Sequence, residues 1–191
     1  MHLTLTGNLT LIAALSVTST IAAAATSPNN TPQVPSEPPY IVLSDNLDEP
    51  NGYGFCIDTY GRGKSELVQT HSCKPKAPEG SPRDYQDNDA RFEYDEAANR
   101  IRSYAFEGLC LQALLATGKT EFGLLKCSDT KHQSFVYSEE DQTIRLLENA
   151  QLCLSVATET QEAGPWVKRP LELSDCASVD MSLAQWTVVL N

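Results

Sequence analysis

The sequence predicts an all-β fold built from three copies of one four-stranded unit, each copy closed by one disulfide. Three observations carry this prediction. Six cysteines fall in order at Cys56, Cys73, Cys110, Cys127, Cys153 and Cys176, with spacings of 17, 17 and 23 within successive pairs. Each pair is followed by an alternating run with an aromatic at its centre: ARFEYD, QSFVYS and AQWTVV, centred on Phe92, Phe135 and Trp186. No segment of useful length carries capped helical periodicity, whereas RFEYD, SFVYS and LELSDC alternate apolar and polar residues as half-buried strands do.

The chain opens with MHLTLTGNLTLIAALSVTSTIAAAATSP, which is apolar, rich in small residues and free of acid. Its alanines match the small-residue cleavage pattern of a secretory signal, and cleavage is expected near Ala25. A membrane anchor is the competing reading. Polar residues such as Asn8 interrupt the apolar run, which gives way directly to a polar tail, and this favours a cleaved signal over residues 1–25. The n-region is weak, because it carries no Lys or Arg. Residues 26–40 hold Pro28, Pro32, Pro35, Pro38 and Pro39. Proline fixes φ and removes a donor, so this stretch is expected to be an extended, semi-rigid linker. Residues 41–191 then form one domain of 151 residues, enough for a core of its own.

The formal net charge is −11, all of it beyond the leader. A phosphate backbone would repel such a chain, so nucleic acid is not an expected partner, and acidic membrane surfaces are excluded on the same ground. An even number of cysteines after a signal peptide points to three disulfides and to a secreted or periplasmic, oxidising location. A structural zinc site would want closely spaced cysteine pairs, and none is present. Six cysteines alone allow fifteen connectivities.

The internal repeat selects among them. YIVLSDNLDEPNGYGFCIDT, NRIRSYAFEGLCLQAL and QTIRLLENAQLCLSVA each read as a short β-rich run, a polar turn and a cysteine inside a second apolar run. GLCLQALLATG alone could pass for a helix, but its place in the repeat makes it a strand. The aromatic strand centres lie 43 and 51 residues apart, which suits four short strands per copy. Three such units fit a β-trefoil, a six-stranded closed barrel capped by three hairpins. Closure removes exposed sheet edges, and Phe92, Phe135 and Trp186 would fill the barrel. Each disulfide then lies within one repeat: Cys56–Cys73, Cys110–Cys127 and Cys153–Cys176. Closing loops of this size contributes about 3 kcal/mol each in the chain-entropy model.

With these motifs in place, the chain resembles the ricin B-type lectin family, the QxW β-trefoils, over Ile41 to Leu190. GFCIDT, GLCLQA and QLCLSV carry the first disulfide strand. The Q-x-W motif stands as QSF at Gln133–Phe135 and, weakened, as ARF (Ala90–Phe92) and AQW (Ala184–Trp186). The resemblance implies a sugar site built from an aspartate just after the first cysteine, an aromatic platform two residues before the second, a glutamine two residues before that platform, and a polar residue ahead of Q-x-W. In the first repeat these positions hold Asp58, His71, Gln69 and Asp89. Histidine replaces the usual large aromatic, Asp89 replaces the common asparagine, and Ala90 replaces the glutamine of Q-x-W. The adjoining insertion makes Asn88 a substitute for Asp89.

The chemistry suits a sugar. A carboxylate accepts from vicinal hydroxyls, a flat ring covers the C–H face of a pyranose, and an amide both donates and accepts. The second repeat has Gln112 and Leu125 at the key positions, with His132 and Gln133 near the fourth. The third has Ser155, Ser174 and Leu183. Neither keeps acceptor and platform together, so at most one site is expected. The plainer readings are a turn aspartate at Asp58, an exposed loop histidine at His71, and core packing for the three aromatics.

Two insertions break the symmetry. KPKAPEGSPRDYQDND, residues 74–89, lengthens the first repeat, and the spacing of its Asp84, Asp87 and Asp89 matches no calcium loop. TETQEAGPWVKRP, residues 158–170, extends the third repeat and carries Trp166, either as a binding contact or as a pin for its own loop. No catalytic motif is present: His71 and His132 fall in different repeats, and the cysteines are committed. The sequence therefore reads as a non-enzymatic, exported carbohydrate-binding module without cofactor or metal. Its expected partner is a glycan or, in the alternative reading, an extracytoplasmic protein met by the inserted loops, with the trefoil as an inhibitor or toxin-complex subunit. No membrane span is expected once the signal is removed.

Overall fold

The computed structural model of the protein describes residues 30–60, 65–76, 89–116 and 119–191. The expected leader and the start of the linker lie outside these residues. The first repeat contains β1 (Tyr40–Leu43), β2 (Phe55–Thr59), β3 (Leu67–Ser72) and β4 (Phe92–Asp95). The second contains β5 (Arg100–Ser103), β6 (Leu109–Ala116), β7 (Lys119–Lys126) and β8 (Phe135–Ser138). The third contains β9 (Thr143–Leu146) and β10 (Asn149–Val156), then an added hairpin of β11 (Gln161–Ala163) and β12 (Trp166–Arg169), then β13 (Leu171–Asp175) and β14 (Trp186–Val189).

The pairing is threefold. Strand β4 pairs β5, β8 pairs β9, and β14 returns to β1 with Leu43 opposite Trp186, which joins the last repeat to the first. Hairpins β2–β3, β6–β7 and β10–β13 cap the arrangement. The cysteine of each hairpin's first strand sits opposite an equivalent residue of the preceding strand: Val42 and Cys56, Arg102 and Cys110, Arg145 and Cys153. The fold is thus the β-trefoil that the repeat predicts. All three disulfides pair within a repeat, with Cα separations of 5.0, 5.0 and 5.2 Å. The segment with helical ambiguity forms strand β6.

Phe92, Phe135 and Trp186 are completely buried, together with Ile41, Leu43, Phe55, Ile57, Ile101, Leu111, Ile144 and Leu146. The repeats also join through backbone. The carbonyls of Asn99 and Gln142 accept from Phe135 N–H (2.8 Å) and Trp186 N–H (2.7 Å). Both residues turn the chain between paired strands at positive φ, 50° and 59°. Asparagine tolerates that region readily; glutamine adopts it here within the same turn.

Residues 30–39 contain no helix or strand, as their prolines dictate. They do not run free, however. Gln33 N–H donates to Gly52 C=O (2.6 Å), Ser36 and Pro39 are buried, and Arg91 donates to the Pro38 carbonyl. This strap packs Val34 against a second, smaller apolar cluster of Val42, Cys56, Cys73 and Ala90. No helix among the described residues is long and apolar enough to cross a membrane.

Candidate functional site

Strand alternation decides where the candidate residues point. In hairpin β2–β3, Cys56 lies opposite His71 and Asp58 opposite Gln69. Residues two apart share a face, so Asp58, Gln69 and His71 lie on the face that carries the Cys56–Cys73 disulfide. The intervening Phe55, Ile57 and Val68 belong to the main core on the other face. The first-repeat set is therefore gathered outside the barrel, against the smaller cluster and the strap.

What fills that space is a residue absent from the sequence argument. Lys74 Nζ lies 2.8 Å from Asp58 Oδ2 and donates to Asp89 Oδ1, also at 2.8 Å. Both aspartates are fully buried. Lys74 faces Asp58 as a charge contact, and the Asp89 side chain and the Thr59 backbone also act on its carboxyl. Burial pushes the Asp58 carboxyl above its ordinary pKa, and the Lys74 ammonium opposes that. Burial pulls Lys74 down, but the two carboxylates outweigh it and hold the amine above its usual value. The arrangement stores one positive charge between two buried acids, which is tolerable only because all three are present.

His71 Nδ1 lies 3.0 Å from the Ser72 carbonyl. A carbonyl can only accept, so Nδ1 carries the proton and Nε2 is the free acceptor. The same Nδ1 is 3.9 Å from Asp58 Oδ2. The side chain is only 11% exposed, so it is neither an exposed loop residue nor an open stacking platform. Burial lowers its pKa, with Lys74 and Lys168 acting in the same direction against the Ser72 carbonyl and Asp89. Gln69 is buried beside it at 7% exposure. The structure thus brings Asp58, Asp89 and His71 around Lys74, with Gln69 on the same strand face. Asn88, Asp84 and Asp87 lie outside the described residues.

The other repeats close the equivalent space differently. In the second, the buried amide of Gln133 donates to Gln112 Oε1 (3.0 Å) and to Lys126 C=O (3.0 Å), and accepts from Ser128 N–H (2.8 Å). In the third, the Ser155 and Ser174 hydroxyls meet at 2.8 Å. Ala90 and Ala184 stand where Gln133 stands, and in the first repeat the Lys74 side chain supplies the donor that Ala90 lacks. His132 is held apart from all of this by Glu148, with Nε2 to Oε1 at 3.2 Å. Among the described residues no group of three or more His, Cys, Asp or Glu could hold a metal ion.

The third-repeat insertion adds a strand to the first repeat. Lys168 and Arg169 of β12 pair with His71 and Thr70 of β3. Ser72 Oγ donates to the buried Glu49 (2.9 Å) and accepts from Val167 N–H (3.2 Å), and Arg169 donates to Asp48 (2.7 Å) and to Ala157 C=O (2.6 Å). Trp166 packs on Tyr53 with ring centroids 6.0 Å apart, so in this structure it pins its own hairpin. Lys74 and the pairing of this hairpin with the first repeat are the site features the sequence reading missed. The one available signal was Ala90, a lost partner for position 58 in a repeat that gains a lysine directly after Cys73.

A search of curated proteins finds no match to the sequence. Among solved structures, the mdaA-1 domain superposes with TM-score 0.54 at 12% identity, covering 87% of this chain and 98% of that one. The C-terminal half of an earthworm R-type lectin, solved with GalNAc, gives 0.50 at 12% identity over 79% of this chain and 98% of that one. GalNAc-T7, solved with UDP, GalNAc and Mn2+, gives 0.46 at 15% identity over 71% of this chain, which spans only 20% of that enzyme. At such identities the likeness concerns the fold. The family model of the ricin-type β-trefoil lectin domain matches residues 47–186, the stretch that holds all three disulfides, and the chain belongs to that family.

Proposed function

We propose that the protein is an exported carbohydrate-binding module without enzymatic activity, whose single site is the first-repeat pocket of Asp58, Gln69, His71 and Asp89. One observation carries this reading: two carboxylates on separate segments converge on one hydrogen-bond donor, Lys74 Nζ, at 2.8 Å each. A pair of vicinal sugar hydroxyls offers donors of the same kind, and charged acceptors hold them more strongly than neutral ones. The Gln112–Gln133 and Ser155–Ser174 contacts leave no acid at the equivalent positions of the other repeats. The earthworm lectin with GalNAc makes N-acetylgalactosamine a first sugar to try. A glycan array with the wild type and Asp58→Ala tests the reading. Loss of signal in the variant is expected with all three disulfides intact, alongside a lowered thermal melt because Lys74 loses one of its two buried partners; an unchanged signal refutes the site.

A second reading, a protein-binding trefoil, is favoured by the β11–β12 hairpin. This element widens the sheet beside the same pocket, and among the described residues β11 pairs only with β12. A partner captured from secreted fractions that survives free sugar, and is lost when residues 158–170 are replaced, would support it.

A further inference from the structure

We propose that the first-repeat pocket is self-occupied: Lys74 is an internal competitor for its ligand, and the N-terminal strap holds Lys74 in place. This inference rests on the carbohydrate reading of that pocket and adds the residue that limits access to it. Both Asp58 oxygens are buried, and Asp58 and Asp89 share the ammonium between them. No ligand hydroxyl can reach Asp58 unless Lys74 leaves. The lysine enters from the residue after Cys73, and its backbone is anchored: Ser36 Oγ donates to Lys74 C=O at 2.8 Å, and Lys76 Nζ meets Glu37 at 2.9 Å.

The comparison between repeats ties strap to plug. Gly54 and Gly108 are equivalent, each two residues before the hairpin's first cysteine, and their carbonyls accept from Cys73 N–H and Cys127 N–H, both at 2.9 Å. A Cβ on Gly54 would lie 2.4 Å from the Pro32 side chain, whereas one on Gly108 would meet nothing within 4 Å. The strap thus covers the first repeat and leaves this position of the second open. Only the first repeat has an acidic acceptor to protect. In the second repeat the equivalent donor is the amide of Gln133, which is fixed by two further hydrogen bonds. Lys74 instead sits on a long flexible side chain at the start of an insertion, so it can leave by rotamer changes once the strap is released, provided an incoming ligand takes its place between the two buried acids.

The experiment has two independent readouts on the full chain. In the first, native protein is acetylated with an N-hydroxysuccinimide ester and mapped by mass spectrometry. Lys74 should react more slowly than Lys131, whose side chain is 69% exposed, and Ser36→Ala combined with Glu37→Ala should speed Lys74 selectively. Equal rates for Lys74 and Lys131 in the wild type overturn the proposal. In the second, binding to N-acetylgalactosamine-coated surfaces is compared for wild type, Lys74→Ala, which leaves no donor in place of the ammonium, and the strap variant. A pocket open in only a small fraction of molecules should gain about ten-fold or more in apparent affinity when the plug is removed. Where the wild type binds measurably, a folded Lys74→Ala or strap variant that binds no better overturns the proposal. The carbohydrate reading fails in a different way: Asp58→Ala then leaves binding unchanged, or no glycan binds to any variant even where Lys74 is protected and released as described.

Discussion

Gln133 donates its amide to Gln112 across 3.0 Å, at the position where the first repeat sets Ala90 against Asp58. The same buried amide accepts from Ser128 N–H and donates to Lys126 C=O, so it knits the end of hairpin β6–β7 to the turn before β8. Gln133→Ala should therefore destabilise the protein by about 1–3 kcal/mol, the cost of leaving buried partners unpaired. Urea denaturation of the oxidised protein measures this. A loss within error of zero would mean that water replaces the amide fully.

The first-repeat ion triad makes a sharper demand. Lys74→Met keeps much of the volume but leaves Asp58 and Asp89 buried with no cation between them. Breaking a buried pair from one side costs about 3–5 kcal/mol. The penalty should depend on pH with a definite sign. Burial already raises Asp58, and loss of Lys74 removes what opposes the rise. A raised carboxyl pKa gives a contribution to stability that is full below the unfolded value of 3.8 and is lost as pH rises through the folded value. The difference between variant and wild type should thus be largest near neutrality and shrink on acidification. A pH-independent difference in melting temperature would show that the carboxyls do not sense the lysine.

His71 titrates in the opposite sense. Its folded pKa lies below the ordinary histidine value of 6.5, chiefly because of burial. On acidification the unfolded chain takes up the proton first, so this stability is present above pH 6.5 and is lost as pH falls through the folded pKa. The groups that face the ring are the Ser72 carbonyl, Asp58, Asp89, Lys74 and Lys168. His71→Gln should melt with a flatter pH dependence than wild type just below pH 6.5. Equal slopes would place His71 in solvent rather than in the packed pocket.

These residues also mark how far the sequence could be read. The trefoil was legible because its signals are periodic: cysteines at equivalent places in three copies, alternation along each strand, and an aromatic at each barrel position. Asp58, Gln69 and His71 were singled out by the resemblance alone; that they share the disulfide face follows from the strand pairing. Lys74 was not legible, because nothing in spacing tells where the end of a long side chain settles. Its direction follows from the two acids it meets, one of them 15 residues away in sequence. Of the expected linker at residues 26–40, residues 30–39 form no helix or strand while Tyr40 already begins β1, and prolines say nothing about what an extended chain packs against. Hairpin β11–β12 joins the first repeat through pairing between residues about a hundred positions apart, Thr70 with Arg169, which no local pattern encodes.

The strap offers a final test that separates packing from backbone strain. Gly54 and Gly108 have positive φ, 81° and 76°, so alanine at either meets the same left-handed penalty, about 1–2 kcal/mol. Only at Gly54 does the new methyl also collide with Pro32, at 2.4 Å, and crowd Val42, at 3.2 Å. Gly54→Ala should therefore lower the melting temperature more than Gly108→Ala, and the excess measures how firmly the strap is seated. The two effects have distinct consequences at the pocket. If the strap lifts to admit the methyl, Lys74 loses the Ser36 hydrogen bond and becomes more reactive toward acylation, while Gly108→Ala leaves that reactivity unchanged. Equal destabilisation by the two variants, with Lys74 equally protected in both, would mean that Pro32 does not rest on Gly54 in solution and that the strap does not hold the lysine.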